Sequence, residues 1–171
     1  VFVTTELNYG GDLGGREGIA NTTCNSQGSA AGLGGTWKAI LSGTQENEWA
    51  INRIGYNWSE LRRVDGGTIA YSGQLWNTSS GPLLLPINMT ATGTIVSLSN
   101  IVTHNNSNGT AVAGYTACNN WTDGGACCSG GQSHSWMPGT TGTTGTGWVS
   151  NGMLNGDCRT NLIDYFYCIE Q

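Results

Sequence analysis

Six cysteines, seven tryptophans and a few carboxylates are the residues in this chain whose types and spacing could do chemistry. Cys24 stands alone near the start, Cys118 and the adjacent pair Cys127-Cys128 follow much later, and Cys158 and Cys168 close the chain. An even count reads as a disulfide framework, and hence as an oxidising compartment. A lone early cysteine and one at the extreme end suggest a bridge tying the two ends of a single domain together. A zinc reading of Cys127, Cys128, His104 and His134 fails on spacing: adjacent cysteines rarely share one tetrahedral ion, and oxidised ones cannot bind it. Glu46, Glu48, Glu60 and Asp65 could in principle supply the carboxylate pair of a glycosidase. On an exposed helix and loop such groups are ordinarily solvated. No Gly-x-Ser-x-Gly elbow, His-Glu-x-x-His pair or phosphate-cradling lysine loop occurs. The chain is therefore not expected to be an enzyme. Exposed tryptophan faces, by contrast, can stack on sugar rings.

The composition bounds what could position these groups. At 171 residues the chain is expected to form one domain, residues 1–171, large enough to bury a core of its own. Charged residues make up 10% of it, against about 25% in ordinary proteins. Lys38 is the only lysine, the net charge is −5 and the isoelectric point is about 4.7. Nucleic acid is thereby excluded as a partner, since nothing here could neutralise a run of phosphates. The one basic pair, Arg62-Arg63, reads as a solvated surface. No apolar run approaches the roughly 20 residues that span a bilayer, so no membrane insertion is expected. No signal peptide is visible and the chain starts with Val, so a mature or trimmed form is expected. These features describe a secreted, extracellular, weakly charged protein. Seven Asn-x-Ser/Thr triplets, at Asn21, Asn57, Asn77, Asn88, Asn105, Asn108 and Asn120, make it a candidate glycoprotein if its source glycosylates asparagine.

Residue patterns divide the chain into short elements. Val1 to Thr5, β-branched and aromatic, reads as a strand. Ile19, Thr23, Ser26, Ala30 and Leu33 recur at helical spacing and predict a helix within residues 16–33, ending at Gly34-Gly35. Thr36 to Leu41 is a predicted strand, and a short helix is expected between Glu46 and Ile54. Further strands are expected at Thr68–Tyr71, Thr94–Leu98, Gly114–Ala117 and Tyr165–Ile169. Glycine at every third position from Gly139 to Gly145, and again at Gly147, is too short a run for a collagen helix and reads as a flexible surface loop.

With these elements placed, the chain resembles the C-type-lectin-like superfold in its endostatin-related branch, and most of all a bacterial extracellular family of uncertain function that includes leptospiral and myxobacterial surface proteins. The likeness is carried by Val1-Phe2-Val3-Thr4-Thr5, Asp12-Leu13-Gly14-Gly15 before the Cys24 helix, and Ala30 to Ser42. It continues through Arg63-Val64-Asp65-Gly66, Pro86-Ile87, Cys118-Asn119-Asn120-Trp121-Thr122 and Tyr167 to Gln171, and so covers essentially the whole chain. It implies an α+β fold: a mixed, mostly antiparallel sheet, one or two helices, long loops and disulfide staples. It also implies nested bridges, Cys24–Cys168 outside and Cys118–Cys158 inside. Cys127 and Cys128 then bond to each other, or the inner pairing becomes Cys118–Cys127 with Cys128–Cys158. The zinc-binding histidines that endostatin carries near its N-terminus have no counterpart here.

A calcium-dependent sugar site in this superfold needs clustered side-chain oxygens, since calcium takes 6 to 8 of them. The usual Glu-Pro-Asn or Gln-Pro-Asp and Trp-Asn-Asp signatures are absent. The nearest substitutes are Asn155-Gly156-Asp157, which also reads as a plain turn, with Asn119, Asn120 and Asp123 near Cys118. No cofactor is implied; calcium is the one ion with candidate ligands, at Asn119, Asp123, Asn155 and Asp157. Trp121, Trp136 and Trp148 fall in the segment corresponding to the variable loops of lectin-like domains, roughly residues 104–157. Trp37 and Trp49 are expected in the core instead. The expected function is a secreted or cell-surface adhesion module that recognises a glycan or protein surface through Trp121, Trp136, Trp148, Asn155 and Asp157. The alternative is a structural subunit of an extracellular filament, sheath or surface layer, with copies of itself as partners. Low charge weakens the repulsion that keeps proteins apart and so suits such a polymer.

Overall fold

The described part of the computed structural model comprises residues 1–5, 7–8, 18–55, 58–77, 82–99, 101–113, 121, 135–136, 138–152, 154–155 and 163–171. Its first half runs β1 (Phe2–Val3), β2 (Leu7–Asn8), α1 (Ile19–Ala30), β3 (Trp37–Ala39), a 3-10 turn at Glu46–Glu48, α2 (Ala50–Ile54), β4 (Glu60–Arg62) and β5 (Thr68–Tyr71). The second half runs β6 (Ile101–Val102), β7 (Ser135–Trp136), β8 (Pro138–Gly139), a 3-10 turn at Thr146–Trp148, β9 (Leu154–Asn155), β10 (Ile163–Asp164) and β11 (Tyr167–Glu170). This is a mixed α+β chain with small antiparallel sheets.

The last strand is the middle of the central sheet. β11 lies between β1 and β3, antiparallel to both, with Phe2 opposite Cys168 and Cys168 opposite Ala39. Phe2, Val3, Ala39, Tyr167, Cys168 and Ile169 are all fully buried. β1 and Tyr167 to Ile169 of β11 are buried throughout and read as continuous apolar runs, as strands covered on both faces do, whereas β3 alternates, with Lys38 only partly buried between Trp37 and Ala39. β1 is extended on its outer side, where the Val3 amide donates to the Met89 carbonyl at 2.8 Å. The remaining pairs are two-stranded: β2 with β10, β4 with β5, β6 with β8, and β7 with β9.

α1 ends earlier than the glycine pair at 34–35 would suggest. Gly32 takes a left-handed φ of +74°, the Leu33 amide donates to Gly28 O and the Gly32 amide to Ser29 O. That double bond is the Schellman cap, which a glycine just past the last turn allows without steric cost. The helix then packs on β3 through two asparagines one turn apart. Asn25 accepts from the Trp37 amide at 2.8 Å and donates to the Trp37 carbonyl at 2.7 Å, while Asn21 accepts from the Ala39 amide at 2.8 Å. Side chains of α1 thus complete the outer edge of β3 as a further strand would, and the edge is closed. Above them Trp37 lies across Gly28, where a Cβ would come within 2.8 Å of the indole nitrogen.

Two expectations change. Residues 94–98 form no strand; Ile95 makes an isolated bridge to Met89 and is otherwise exposed. The glycine-threonine stretch is not a loose surface loop. Thr141 is fully buried and its hydroxyl accepts from the Leu98 amide at 2.8 Å, while the Thr141 amide donates back to Leu98 O at 3.0 Å. Gly139 is required there, because a methyl group would run into the Trp148 carbonyl. Threonine and glycine suit the segment because a short hydroxyl and a bare backbone can pair with a neighbouring chain at close range. The strand expected at 114–117 lies outside the described residues.

Candidate functional site

The Cys24–Cys168 bridge is present, joining α1 to β11 across 144 residues with a Cα–Cα distance of 5.5 Å. Both cysteines are fully buried beside Phe2, Trp37, Ala39 and Phe166. No solvent or ligand reaches this bond, so its role is to staple rather than to react. Cys118, Cys127, Cys128 and Cys158 lie outside the described residues.

Of the three tryptophans expected to face a ligand, two are interior. Trp148 is 0% exposed and sits between Trp76 and Tyr167, with ring centroids 5.8 and 5.6 Å away. Trp121 is 2% exposed, and its indole nitrogen donates to the Ser42 carbonyl at 2.8 Å. As folded, neither offers a ring face to a sugar. The physical reason is area: in a chain this poor in leucine-rich helices, the large aromatics supply much of the buried apolar surface. Trp37 is buried as expected, and Trp49 is partly so. The third is Trp136. It lies on β7, paired antiparallel with β9 so that Ser135 faces Asn155 and Trp136 faces Leu154 in register. Two residues chosen from sequence, Trp136 and Asn155, are thereby brought to neighbouring positions of one ribbon. Asn119, Asp123 and Asp157 lie outside the described residues, and with them most of the candidate calcium ligands.

One polar cluster was not anticipated as a cluster: sequence reading met His104 only as a rejected zinc ligand and Asn105 only as a sequon. Ser42, Thr103, His104 and Asn105 are all fully buried. The Ser42 hydroxyl donates to the Asn105 side-chain oxygen and accepts from the Ala50 amide at 2.8 Å. The Ser42 amide donates to Thr103 O at 3.0 Å, and the Thr103 hydroxyl donates to Val149 O at 2.7 Å. His104 stands edge-on to Trp121, ring centroids 6.1 Å apart, and among the described residues neither ring nitrogen has a hydrogen-bond partner. Burial pushes its pKa down to about 4. His104 and Trp121 both adopt left-handed φ angles, 52° and 64°. Such angles are rare outside glycine and persist only where packing enforces them. Fully buried, the Ser42 hydroxyl acts as a strut between Asn105 and the Ala50 amide. Nothing in the run Thr103-His104-Asn105 departs from the polar loops around it, so no sequence signal marks it.

Three of the four carboxylates considered for catalysis, Glu48, Glu60 and Asp65, are engaged by neighbouring groups, while Glu46 is exposed. Arg63 holds the Asp65 carboxyl at about 2, helped by the Gly67 amide. Arg62, at 2.7 Å, and then the Thr68 hydroxyl lower Glu60. Glu48 is buried and caps the Gln45 amide at 3.0 Å. Glu60 and Asp65, both held below the usual carboxylate range, are poorly suited to act as a protonated general acid. Among the described residues no group of three or more His, Cys, Asp or Glu side chains could hold a metal, and no helix is long and apolar enough to cross a membrane. Two surface depressions, about 200 and 220 Å³, lie beside the end of α1 and beside Arg62-Arg63. Both fall below the roughly 300 Å³ at which small-molecule pockets begin.

The sequons are not equivalent. Asn105 is fully buried, and Asn21 is engaged on β3. Asn88 accepts from Arg63 at 2.8 Å, and Asn108 accepts from both the amide and the hydroxyl of Thr110. Asn77 is exposed. Asn57 and Asn120 lie outside the described residues.

No protein-family model matches this chain, and no curated protein matches it significantly.

Proposed function

We propose that this protein is a secreted or cell-surface binding module of the C-type-lectin-like, endostatin-related kind, serving adhesion to a glycan or protein surface. The observation that carries the reading is the closure of the ends. β1, β11, β3 and α1 are locked into one unit by pairing and by the Cys24–Cys168 bridge. Most of the chain between residues 40 and 166 is then one long excursion of short elements and loops, hung on a rigid base. Binding surfaces are commonly built in this way, on loops positioned by a scaffold. Within the excursion the β7–β9 ribbon, with Trp136 and Asn155, is the best-supported contact surface. Trp121 and Trp148 act as supports of that excursion.

The test is binding of the native protein to a glycan array and to immobilised extracellular matrix, with and without calcium, for wild type and for Trp136→Ala and Asn155→Ala. Loss of binding with an unchanged unfolding transition would support the ribbon. Binding that survives both substitutions would remove it.

A second reading, a subunit of an extracellular filament or layer, is favoured by one observation: Tyr71, Leu84, Leu85 and Ile95 are large apolar side chains left exposed on a weakly charged surface. Ordered polymers in negative-stain images, with no ligand bound in solution, would decide for it.

A further inference from the structure

We infer that Asn151–Gly152 is a site of spontaneous backbone modification, at which the asparagine converts to aspartate and isoaspartate, and that the same dipeptide at Asn108–Gly109 is protected by the fold. The two reacting groups at the first site are both available. Asn151 and Gly152 are exposed, and Gly152 has φ +75° with open space around its α-carbon. The Asn151 amide donates to Pro138 O at 2.8 Å, which anchors the backbone ahead of the dipeptide. The Asn151 carboxamide and the Gly152 amide make no hydrogen bond among the described residues. The Gly152 nitrogen can therefore attack the Asn151 side-chain carbonyl carbon, unhindered by any Cβ on the attacking residue.

In that step the new bond is Gly152 N to Asn151 Cγ, the Asn151 Cγ–Nδ2 bond breaks, and ammonia carries away the amide proton. Water then opens the resulting five-membered imide at one carbonyl or the other, giving aspartate or isoaspartate. The net change is one ammonia exchanged for one water, with no oxidant or cofactor. It places a new negative charge just ahead of β9, and isoaspartate adds a methylene to the main chain there.

Asn108–Gly109 has the same residues in the opposite state. The Asn108 side-chain oxygen accepts from the Thr110 amide at 3.1 Å and from its hydroxyl at 2.7 Å, so the carboxamide is held. The Gly109 amide donates to Asn106 O at 2.9 Å. Gly109 is buried, its α-carbon closely covered by Trp76 and Ile51. Attack would first have to break these bonds. Asn155–Gly156 carries the dipeptide a third time, but Gly156 lies outside the described residues and plays no part in the comparison.

The experiment is incubation of the folded protein at mildly alkaline pH, followed by peptide mapping with mass spectrometry and by hydroxylamine, which cleaves at the imide. Conversion at Asn151 is expected to outrun that at Asn108 roughly ten-fold or more, the factor that one retained backbone hydrogen bond supplies. Cleavage should fall between residues 151 and 152, and Asn151→Gln should abolish that product. In the urea-unfolded chain, where sequence alone acts, the two sites should convert at similar rates. Equal rates in the folded protein, or faster reaction at Asn108, would overturn the inference. So would an Asn151 that stays intact when folded but reacts when unfolded.

Discussion

At the residue scale the most consequential side chain is His104, which burial keeps neutral. Its pKa is lowered from 6.5 to about 4, so the unfolded chain binds a proton that the folded one refuses. The stability held by the neutral ring is therefore complete above pH 6.5 and is lost as pH falls through that window toward 4, by about 3 kcal/mol in all. Urea unfolding across this range should show the slope for wild type. It should be flatter for His104→Asn, a substitution that tolerates the left-handed backbone. An unchanged slope would mean that another group sets it. Ser42→Ala should cost about 1 to 3 kcal/mol, since it leaves the buried Asn105 and the Ala50 amide without their shared partner. Gly139→Ala should cost at least about 2 kcal/mol, because the added methyl meets a backbone oxygen that no side-chain motion can relieve. Both are read from the shift in urea midpoint at constant slope.

At the element scale, α1 is held to the sheet by three means: the disulfide, Trp37 laid over Gly28, and the asparagine pair on the β3 edge. Asn25→Ala removes two bonds to the Trp37 backbone and should destabilise by about 2 kcal/mol. Replacing Cys24 and Cys168 together by alanine opens the 144-residue loop and should cost about 2 to 5 kcal/mol. If calorimetry instead found Tm unmoved, the pairing of β1 and β3 with β11 would be carrying the closure unaided. These elements were only partly legible. The helix and the terminal strands declare themselves through apolar periodicity and β-branched runs. The helix end was misplaced because two glycine signals lie close together, Gly32 and Gly35 both take left-handed φ, and only the capping bonds to Gly28 O and Ser29 O choose between them. The 94–98 strand was misread because β-propensity needs a partner strand to act on, and none lies beside Ile95 beyond the Met89 bridge.

At the scale of the whole molecule, the buried state of Asn105 carries a prediction for material made in a glycosylating host: that sequon should be empty in folded, secreted protein, with Asn77 the most accessible of the described sites. Glycopeptide mapping checks it, and a sugar on Asn105 of folded protein would contradict the packing. Composition alone already determined much here. Low charge and acidic balance argue against a nucleic-acid partner, and an even cysteine count leads one to expect an oxidising compartment, both being sums over residues that folding does not alter. The short, terminal apolar runs likewise announced the central strands, since their burial on both faces leaves no alternation to misread. Which tryptophans face inward was decided only in three dimensions. Trp121, Trp136 and Trp148 sit in similar glycine- and threonine-rich surroundings, and no local pattern separates them. Trp148 is buried because Trp76 and Tyr167, far away in sequence, close around it, and Trp121 because its indole finds the Ser42 carbonyl. His104 follows the same rule. Burial in a loop-rich chain is set by contacts between distant segments, and those contacts exist only once the ends have been brought together.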